Sequence, residues 1–322
     1  MKTKKRVTSF ILALVVAIAL IVTPNYNAQA ATYVYSPDNV YQTSAKGKKI
    51  TVSWSPAKNA VAYNVYVRLG GSTGQIVMAG RVTSPGAALS GVVPGTTYYI
   101  QVYSVAADGT VSSYGSSKTL YAAPMKPKNV HLYSWTVDSN KPYVEWAGYN
   151  SSQTGYYSPD GYEVKVMTLG GKNVRTYNIN SAYLFNKAIP KIKNAGFKVK
   201  VRSYTVINSY NGPKFKAYSA WSDVKAFVPQ PKMGATYRYR ESTATFSWKP
   251  IKNASAYTIY KVTKSGNSYK FSKYKTVSGS VTSVSVPKSL GRVTVFPTVK
   301  VGGRAYKATY KDRVNFYGVN LN

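Results

Sequence analysis

Two stretches of the chain, 194 residues apart, have nearly the same sequence. Residues 54–66 read WSPAKNAVAYNVY and residues 248–260 read WKPIKNASAYTIY, with eight of the thirteen positions identical. The separation equals two steps of about 97 residues, which is close to the length of one immunoglobulin-like β-sandwich. The repeat therefore predicts a tandem array of one small module, with a third copy between these two.

A middle copy is present in weaker form. YVEW at 143–146 is followed by DGYEVKVM at 160–167, with a longer insert between them. Pro-rich segments at 122–127 and 228–232 are typical of short, stiff linkers. We therefore predict three modules, at residues 36–123, 124–230 and 231–322.

Apolar and polar residues alternate within each module, which is typical of half-buried strands. Inward positions are predicted for Ile50, Val52 and Trp54, for Tyr63, Val65 and Val67, for Tyr98, Ile100 and Val102, and for Phe197, Val199 and Val201. No long segment of helical period follows residue 30. The predicted fold class is all-β.

These motifs resemble the fibronectin type III module. Trp54, Pro56 and Tyr63, followed by VVPGTTYYIQV at 92–102, match its pattern best. GFKVKVRSY at 196–204 and YSAWSD at 218–223 resemble its strand F and the serine-rich approach to its last strand. The third strand F candidate, GRVTVFPTVKV at 291–301, lacks the usual tyrosine. The resemblance implies three tandem immunoglobulin-like sandwiches, with Trp54 and Trp248 in their cores rather than stacked on sugars.

The first 30 residues have the features of a secretory signal peptide. Lys2, Lys4, Lys5 and Arg6 precede an apolar run of 13 residues, which is shorter than the roughly 20 needed to span a bilayer, and AQA at 28–30 supplies a cleavage site. We expect a mature protein starting at Ala31, secreted, extracellular or cell-envelope associated, with no membrane span after cleavage. A chain without cysteine excludes disulfides and thiolate sites and favours a bacterial origin.

Few residues offer catalytic or metal-binding chemistry. His131 is the only histidine, and it has no cysteine or second histidine with which to bind zinc. Glu145 and Glu163 could form the acid and base pair of a glycosidase, and this enzyme hypothesis is the weakest of those considered. GGKNV at 170–174 lacks the spacing of a phosphate loop and predicts a hairpin turn. We therefore predict no catalytic activity, no cofactor and no metal.

The charge balance is the most informative functional signal. The chain has 43 Lys and Arg against 9 Asp and Glu. Its net charge is +5 over 36–123, +10 over 124–230 and +15 over 231–322. Such a field attracts anionic partners, although lysines on strand faces also prevent edge-to-edge aggregation. The predicted contact residues are Lys198, Lys200, Arg202, Lys270, Lys273, Lys275, Arg304, Lys307 and Lys311.

The sequence thus predicts a non-catalytic secreted or cell-surface adhesion or binding protein. Its expected partner is an anionic polymer, such as teichoic acid or an acidic polysaccharide, or a host or cell-surface glycan or protein, with nucleic acid bound only non-specifically. The alternative is a carbohydrate-binding accessory protein for polysaccharide degradation, because the 31 tyrosines also suit sugar stacking.

Overall fold

The chain is an all-β protein, as predicted. The computed structural model describes residues 33–134, 143–147, 156–181, 183–184, 186–189, 194–266, 268–308 and 318–321. Over these residues antiparallel strands form six sheets, and the one helical element is a short 3-10 helix, η1 (Lys288–Leu290). The predicted signal peptide, residues 1–30, lies outside the described residues.

The first sandwich has seven strands in two sheets, ordered β1-β2-β5 and β4-β3-β6-β7. The strands are β1 (Asp38–Lys46), β2 (Lys49–Ser55), β3 (Ala62–Leu69), β4 (Ile76–Val82), β5 (Gly86–Ser90), β6 (Thr97–Val105) and β7 (Ser116–Tyr121). Its inward residues are those that the alternation predicts, since Ile50, Val52, Val65 and Val102 are all buried.

The second sandwich has sheets ordered β12-β9-β8 and β11-β10-β13-β14, with β15 also paired to β13. The strands are β8 (Lys128–Ser134), β9 (Tyr143–Ala147), β10 (Gly161–Thr168), β11 (Asn173–Ile179), β12 (Asn186–Ala188), β13 (Phe197–Ile207), β14 (Phe215–Tyr218) and β15 (Lys225–Phe227). Phe197, Val199 and Val201 are fully buried, which confirms their predicted orientation.

The third sandwich has sheets ordered β16-β17-β20 and β19-β18-β21-β22, with β23 also paired to β21. The strands are β16 (Met233–Thr236), β17 (Thr243–Trp248), β18 (Ala254–Ser265), β19 (Ser268–Ser278), β20 (Ser283–Pro287), β21 (Arg292–Val301), β22 (Arg304–Lys307) and β23 (Val319–Asn320). The segment that lacks the family tyrosine is therefore a central strand, β21. The described strands fall within the ranges 36–123, 124–230 and 231–322, whose limits stay a prediction.

Each sandwich is centred on one tryptophan–tyrosine contact between its two sheets. The ring centroids are 5.3 Å apart in all three pairs, which are Trp54–Tyr63, Trp146–Tyr162 and Trp248–Tyr257. The three tryptophans are at most 5% exposed. The core positions predicted for Trp54 and Trp248 are confirmed.

The repeated spacing from tryptophan to tyrosine has a hydrogen-bonding reason. The hydroxyl of Tyr63 accepts a hydrogen bond from the N–H of Ala57 at 3.1 Å, and that of Tyr257 accepts one from Ile251 at 2.7 Å. Both donors lie in the turn that follows the proline. Asn59 and Asn253 adopt positive φ in the same turns, a conformation that asparagine tolerates better than most residues. The thirteen-residue repeat therefore encodes a core pair together with the turn that fixes it.

The joints between sandwiches are buried rather than open. Ile207, Phe215 and Ala217 of the second sandwich pack into the core of the first, and the N–H of Tyr157 donates to the carbonyl of Gly95 at 2.9 Å. The predicted linker around 122–127 is accordingly covered, because Ala122 and Ala123 are at most 2% exposed.

The second joint is packed in the same way. Leu169 and Val228 belong to the core cluster of the third sandwich, the N–H of Lys252 donates to the carbonyl of Asn194 at 2.7 Å, and Gln230 Nε2 donates to Thr294 Oγ1 at 2.6 Å. The Pro-rich linkers are therefore parts of interfaces.

Replacing Trp54 by Ala is expected to destabilise the first sandwich by about 3 to 5 kcal/mol, because it empties the centre of that core and removes the contact with Tyr63. Chemical denaturation of the full chain, followed by hydrogen exchange of the β2 and β6 amides, measures the effect. Unchanged protection of those amides would contradict the core role.

Replacing Ile207 by Ala is expected to weaken the first sandwich, although Ile207 belongs to a strand of the second. A buried Ile-to-Ala change costs about 2 to 5 kcal/mol. Hydrogen exchange should show lost protection in β2 and β6, whereas Val206→Ala, at the half-buried neighbouring position, should leave those strands protected. If protection were lost only in β10 and β13, the packing of Ile207 at the joint would not stabilise the first sandwich.

Candidate functional site

Three predicted contact residues lie on the outer face of β13. Lys198, Lys200 and Arg202 alternate with buried residues, as the two-residue period of a strand requires. They are half-buried rather than exposed, which corrects the prediction of an open strand face. The reason is that an aromatic ring lies beside each of them: Tyr306 beside Lys198, and Trp221, which follows β14, beside Lys200 and Arg202.

Arg202 is held within the protein. Its Nη2 lies 2.6 Å and its Nε 2.7 Å from Glu163 Oε2. Its guanidinium carbon lies 3.8 Å from the ring centroid of Tyr218 and 4.5 Å from that of Trp221, and Lys200 Nζ lies 4.7 Å from the Trp221 ring. Arg202 is therefore a structural element of this surface, and the Trp221 ring lies beside both Arg202 and Lys200.

Two serines fix the segment that carries Trp221. Ser219 Oγ accepts from the N–H of Ser203 at 3.0 Å, and Ser222 Oγ accepts from that of Val201 at 2.9 Å. The N–H groups of the same serines donate back to the carbonyls of Ser203 and Val201, at 3.0 and 2.7 Å. Residues 219–222 are thus tied to β13 as if they were a further strand.

Lys165 is a member of this surface that sequence reasoning missed. It lies on β10 directly opposite Lys200, while Lys198 is opposite Met167. Like charges facing each other on neighbouring strands are destabilising unless an anion lies between them. Among the described residues, no carboxylate forms an ion pair with Lys165, Lys198 or Lys200. The alternation in GYEVKVM placed Lys165 outward, but only the strand register brings it beside Lys200.

The surface continues across the second joint. Lys198 Nζ lies 5.5 Å from the ring centroid of Tyr306 in β22, and the guanidinium carbon of Arg304 lies 5.3 Å from the same ring. Lys165, Lys198, Lys200, Arg202 and Arg304, with the rings of Trp221 and Tyr306, are called the basic stripe below.

Four other predicted residues lie outside the basic stripe. Lys270, Lys273 and Lys275 are exposed on β19, which is at the opposite edge of its sheet from β22. Lys307 is exposed on β22, and Lys311 lies outside the described residues. The structure thus brings four of the nine predicted residues into the basic stripe and places the β19 lysines on a separate edge.

Three carboxylates of the described chain, those of Glu145, Asp160 and Asp223, form local contacts. Glu145 Oε2 lies 3.0 Å from His131 Nε2, and Asp223 Oδ1 lies 2.8 Å from Lys126 Nζ. The hydrogen bond and charge of Lys126 lower the pKa of Asp223. Asp160 Oδ2 accepts from the N–H of Val206 at 2.6 Å. Among the ion pairs of the described residues, the one that involves the basic stripe joins Glu163 to Arg202.

Glu145 and Glu163 do not share a site. They lie on β9 and β10, which belong to different sheets, and each is flanked by buried residues that point into the core. The two side chains therefore face outward from opposite sides of a sandwich whose sheets pack about 10 Å apart. A glycosidase pair must flank one bond, which this arrangement does not permit.

Two further findings bear on function. Among the described residues, no group of three or more His, Asp or Glu side chains is placed to hold a metal ion. No helix in the part of the chain that the structure describes is long and apolar enough to cross a membrane.

Replacing Arg202 by Gln is expected to destabilise the protein by about 2 kcal/mol, because Glu163 loses a charge-assisted hydrogen bond. Replacing Lys198 by Gln is the matched control and should change stability by less than about 0.5 kcal/mol. Urea denaturation measures the free energy of unfolding of the two variants. Equal stabilities would mean that Arg202 is as free as Lys198 to contact a ligand.

Comparison with solved structures finds arrays of fibronectin type III domains. The first three such domains of chicken CNTN1 are 14% identical over 84% of this chain and 97% of that chain, with a TM-score of 0.28. A two-domain segment of chicken tenascin is 13% identical over 57% and 98%, with a TM-score of 0.28. The central array of RIM-binding protein is 16% identical over 85% and 95%, with a TM-score of 0.23.

No curated protein matches the chain. The family model of the fibronectin type III domain matches residues 35–118, a segment that contains β1 to β6 and the first part of β7. It covers Trp54, Pro56, Tyr63 and VVPGTTYYIQV, the residues that carry the resemblance. Over residues 35–118, the first sandwich is similar to the fibronectin type III domain.

Proposed function

We propose that this protein is a non-catalytic binding protein, secreted or held at the cell envelope, that contacts an anionic polymer through the basic stripe. The observation that carries the proposal is the continuity of the stripe across two sandwiches. Arg304 and Lys198 flank one tyrosine ring, and Lys200 and Arg202 flank one tryptophan ring. Such a surface suits a long ligand better than a small one.

The electrostatics of the stripe favour an anion. Lys165 and Lys200 face each other across β10 and β13, and Glu163, two residues before Lys165 on β10, is already bound by Arg202. A polymer with regularly spaced negative groups would relieve this repulsion at several points at once. The stripe thus has a physical reason to bind a polyanion, whereas solubility alone is served by mixed charges.

The chemistry of the partner follows from these contacts and from the predicted export of the chain. A teichoic acid or an acidic polysaccharide offers repeated anions next to sugar or polyol groups, which can pack on Trp221 and Tyr306. Nucleic acid would bind the same cations non-specifically. Because fibronectin type III domains usually serve as binding or adhesion modules, a host or cell-surface glycan or protein is a further class of partner.

A carbohydrate-binding accessory role is the second candidate, and one observation favours it. A cleft of about 630 Å³ lies between the first and second sandwiches, lined by Tyr99, Tyr121, Tyr157, Asp160 and Asn208 among others. Tyrosine rings beside polar side chains can hold a neutral sugar. However, Tyr121 and Tyr157 pack against each other at 5.2 Å, so these rings already serve the joint.

Binding of the full protein to purified teichoic acid is expected to weaken steeply with salt, because screening shortens the reach of exposed charges to about 8 Å at physiological ionic strength. The double variant Lys198→Gln/Arg304→Gln should weaken it about three- to tenfold, since each exposed pair contributes up to about 1 kcal/mol. The matched control, Lys46→Gln/Lys48→Gln, removes two exposed charges from the first sandwich and should change little.

The same titrations should include a neutral polysaccharide. Salt-independent binding of that polymer, together with equal teichoic acid affinities for the stripe and control variants, would overturn the proposal in favour of the accessory role. Melting curves of both variants confirm that the comparison is made on folded protein.

A further inference from the structure

One end of the third sandwich, the end farthest from the second, carries a second basic surface. Strand pairing defines this end, because Thr243 pairs with Pro287 and Val262 pairs with Arg292. The loop between β16 and β17 and the helix η1 therefore lie together there. The joint with the second sandwich is at the other end, where Lys252 contacts Asn194.

The loop between β16 and β17 contains the sequence Tyr237-Arg238-Tyr239-Arg240. Tyr239 is 89% exposed and Tyr237 is 53% exposed, while the side chain of Arg238 is 85% exposed. Together with Lys288 of η1, these four residues are called the distal tip. Large aromatic side chains are driven toward burial, so two neighbouring exposed tyrosines are not explained by packing.

Contacts within the distal tip hold it in one arrangement. The carbonyl of Arg238 accepts from the N–H of Glu241 at 3.3 Å and from Lys288 Nζ at 3.0 Å. Lys288 Nζ lies 5.3 Å from the Tyr237 ring, and the guanidinium carbon of Arg240 lies 5.5 Å from the Tyr239 ring. Each tyrosine therefore has a cation beside it. The one acid present, Glu241, lies 3.8 Å from Arg238 on an exposed surface.

The backbone of Arg240 has a conformation that is unusual for its residue type. Its φ is +73°, and the other described non-glycine residues with positive φ are all asparagines: Asn39, Asn59, Asn129, Asn194, Asn211 and Asn253. Asparagine and glycine accept this conformation at low cost, whereas a long side chain does not. Strained residues of this kind concentrate at functional sites. Folding alone would favour Gly or Asn at position 240.

We infer that the distal tip is a binding site for the phosphate groups of a phosphodiester polymer whose repeat also contains a sugar or polyol. The guanidinium groups of Arg238 and Arg240 match phosphate oxygens in a two-pronged geometry. The alternation of arginine with tyrosine matches a polymer in which charge alternates with an uncharged unit that packs on a ring. This inference rests on the proposed function and adds a separate, specific site to it.

The test uses the full protein and purified teichoic acid of the glycerol or ribitol phosphate type. Arg238→Gln/Arg240→Gln should reduce the slope of log affinity against log salt by about 1.4, at about 0.7 for each lost phosphate contact. The control Lys249→Gln/Lys252→Gln removes the same charge from exposed positions at the other end of the sandwich and should reduce the slope by less than half as much.

A single variant separates binding from stability. Arg240→Gly should leave the melting temperature unchanged or raise it, because glycine accepts the positive φ, and yet it should weaken teichoic acid binding. Weaker binding with a lower melting temperature would instead indicate a structural role for Arg240 and would overturn the inference.

The remaining arms test the ligand class. Polygalacturonate, which carries carboxylates and no phosphate, should bind with little dependence on Arg238 and Arg240. Equal dependence would overturn the phosphate assignment, and tighter, tip-dependent binding of single-stranded DNA would overturn the choice of polymer.

If the tip and control variants bind teichoic acid equally well while Lys198→Gln/Arg304→Gln still weakens binding, the inference about the distal tip fails alone. If the unaltered protein binds polygalacturonate but no teichoic acid, the inference fails alone, and if it binds neither polymer, both proposals fail.

Discussion

The contact between one tryptophan and one tyrosine packs the two sheets of each sandwich against each other, and the orientation of the inner and outer strand faces depends on it. The pair recurs at 5.3 Å in all three sandwiches. In the first and third, the tyrosine hydroxyl also binds the turn between the sheets. With the inner faces fixed in this way, the strand period fixes every outer face as well. The cations of β13 point outward because Phe197, Val199 and Val201 point inward.

Much of this architecture could be predicted from the sequence because it depends on local alternation. The all-β class, the core tryptophans and the inward faces of β2, β3, β6 and β13 all follow from residues two apart. The strand that lacks the tyrosine of the fibronectin type III pattern, β21, could also be located, since valine recurs at even spacing in its sequence, at 293, 295, 299 and 301.

The functional surface was less predictable because it depends on contacts between distant residues. Arg202 looked like a free cation, but Glu163 and Trp221, 39 and 19 residues away in sequence, hold it in place. Lys165 joins the stripe only through strand register, and Arg304 only through the packing of two sandwiches. The distal tip had a visible signal, the alternation of tyrosine and arginine at 237–240, whose meaning depended on exposure and on the φ of Arg240.

The shared core at the first joint has a mechanical consequence. Because Ile207, Phe215 and Ala217 complete the core of the first sandwich, the chain cannot bend at residues 122–127 without exposing apolar surface to water. Tension applied along the chain would have to pull β14 away from the core of the first sandwich before the joint could straighten. The first two sandwiches are therefore expected to transmit load as one stiff body, whose length sets the distance between the first sandwich and the second joint.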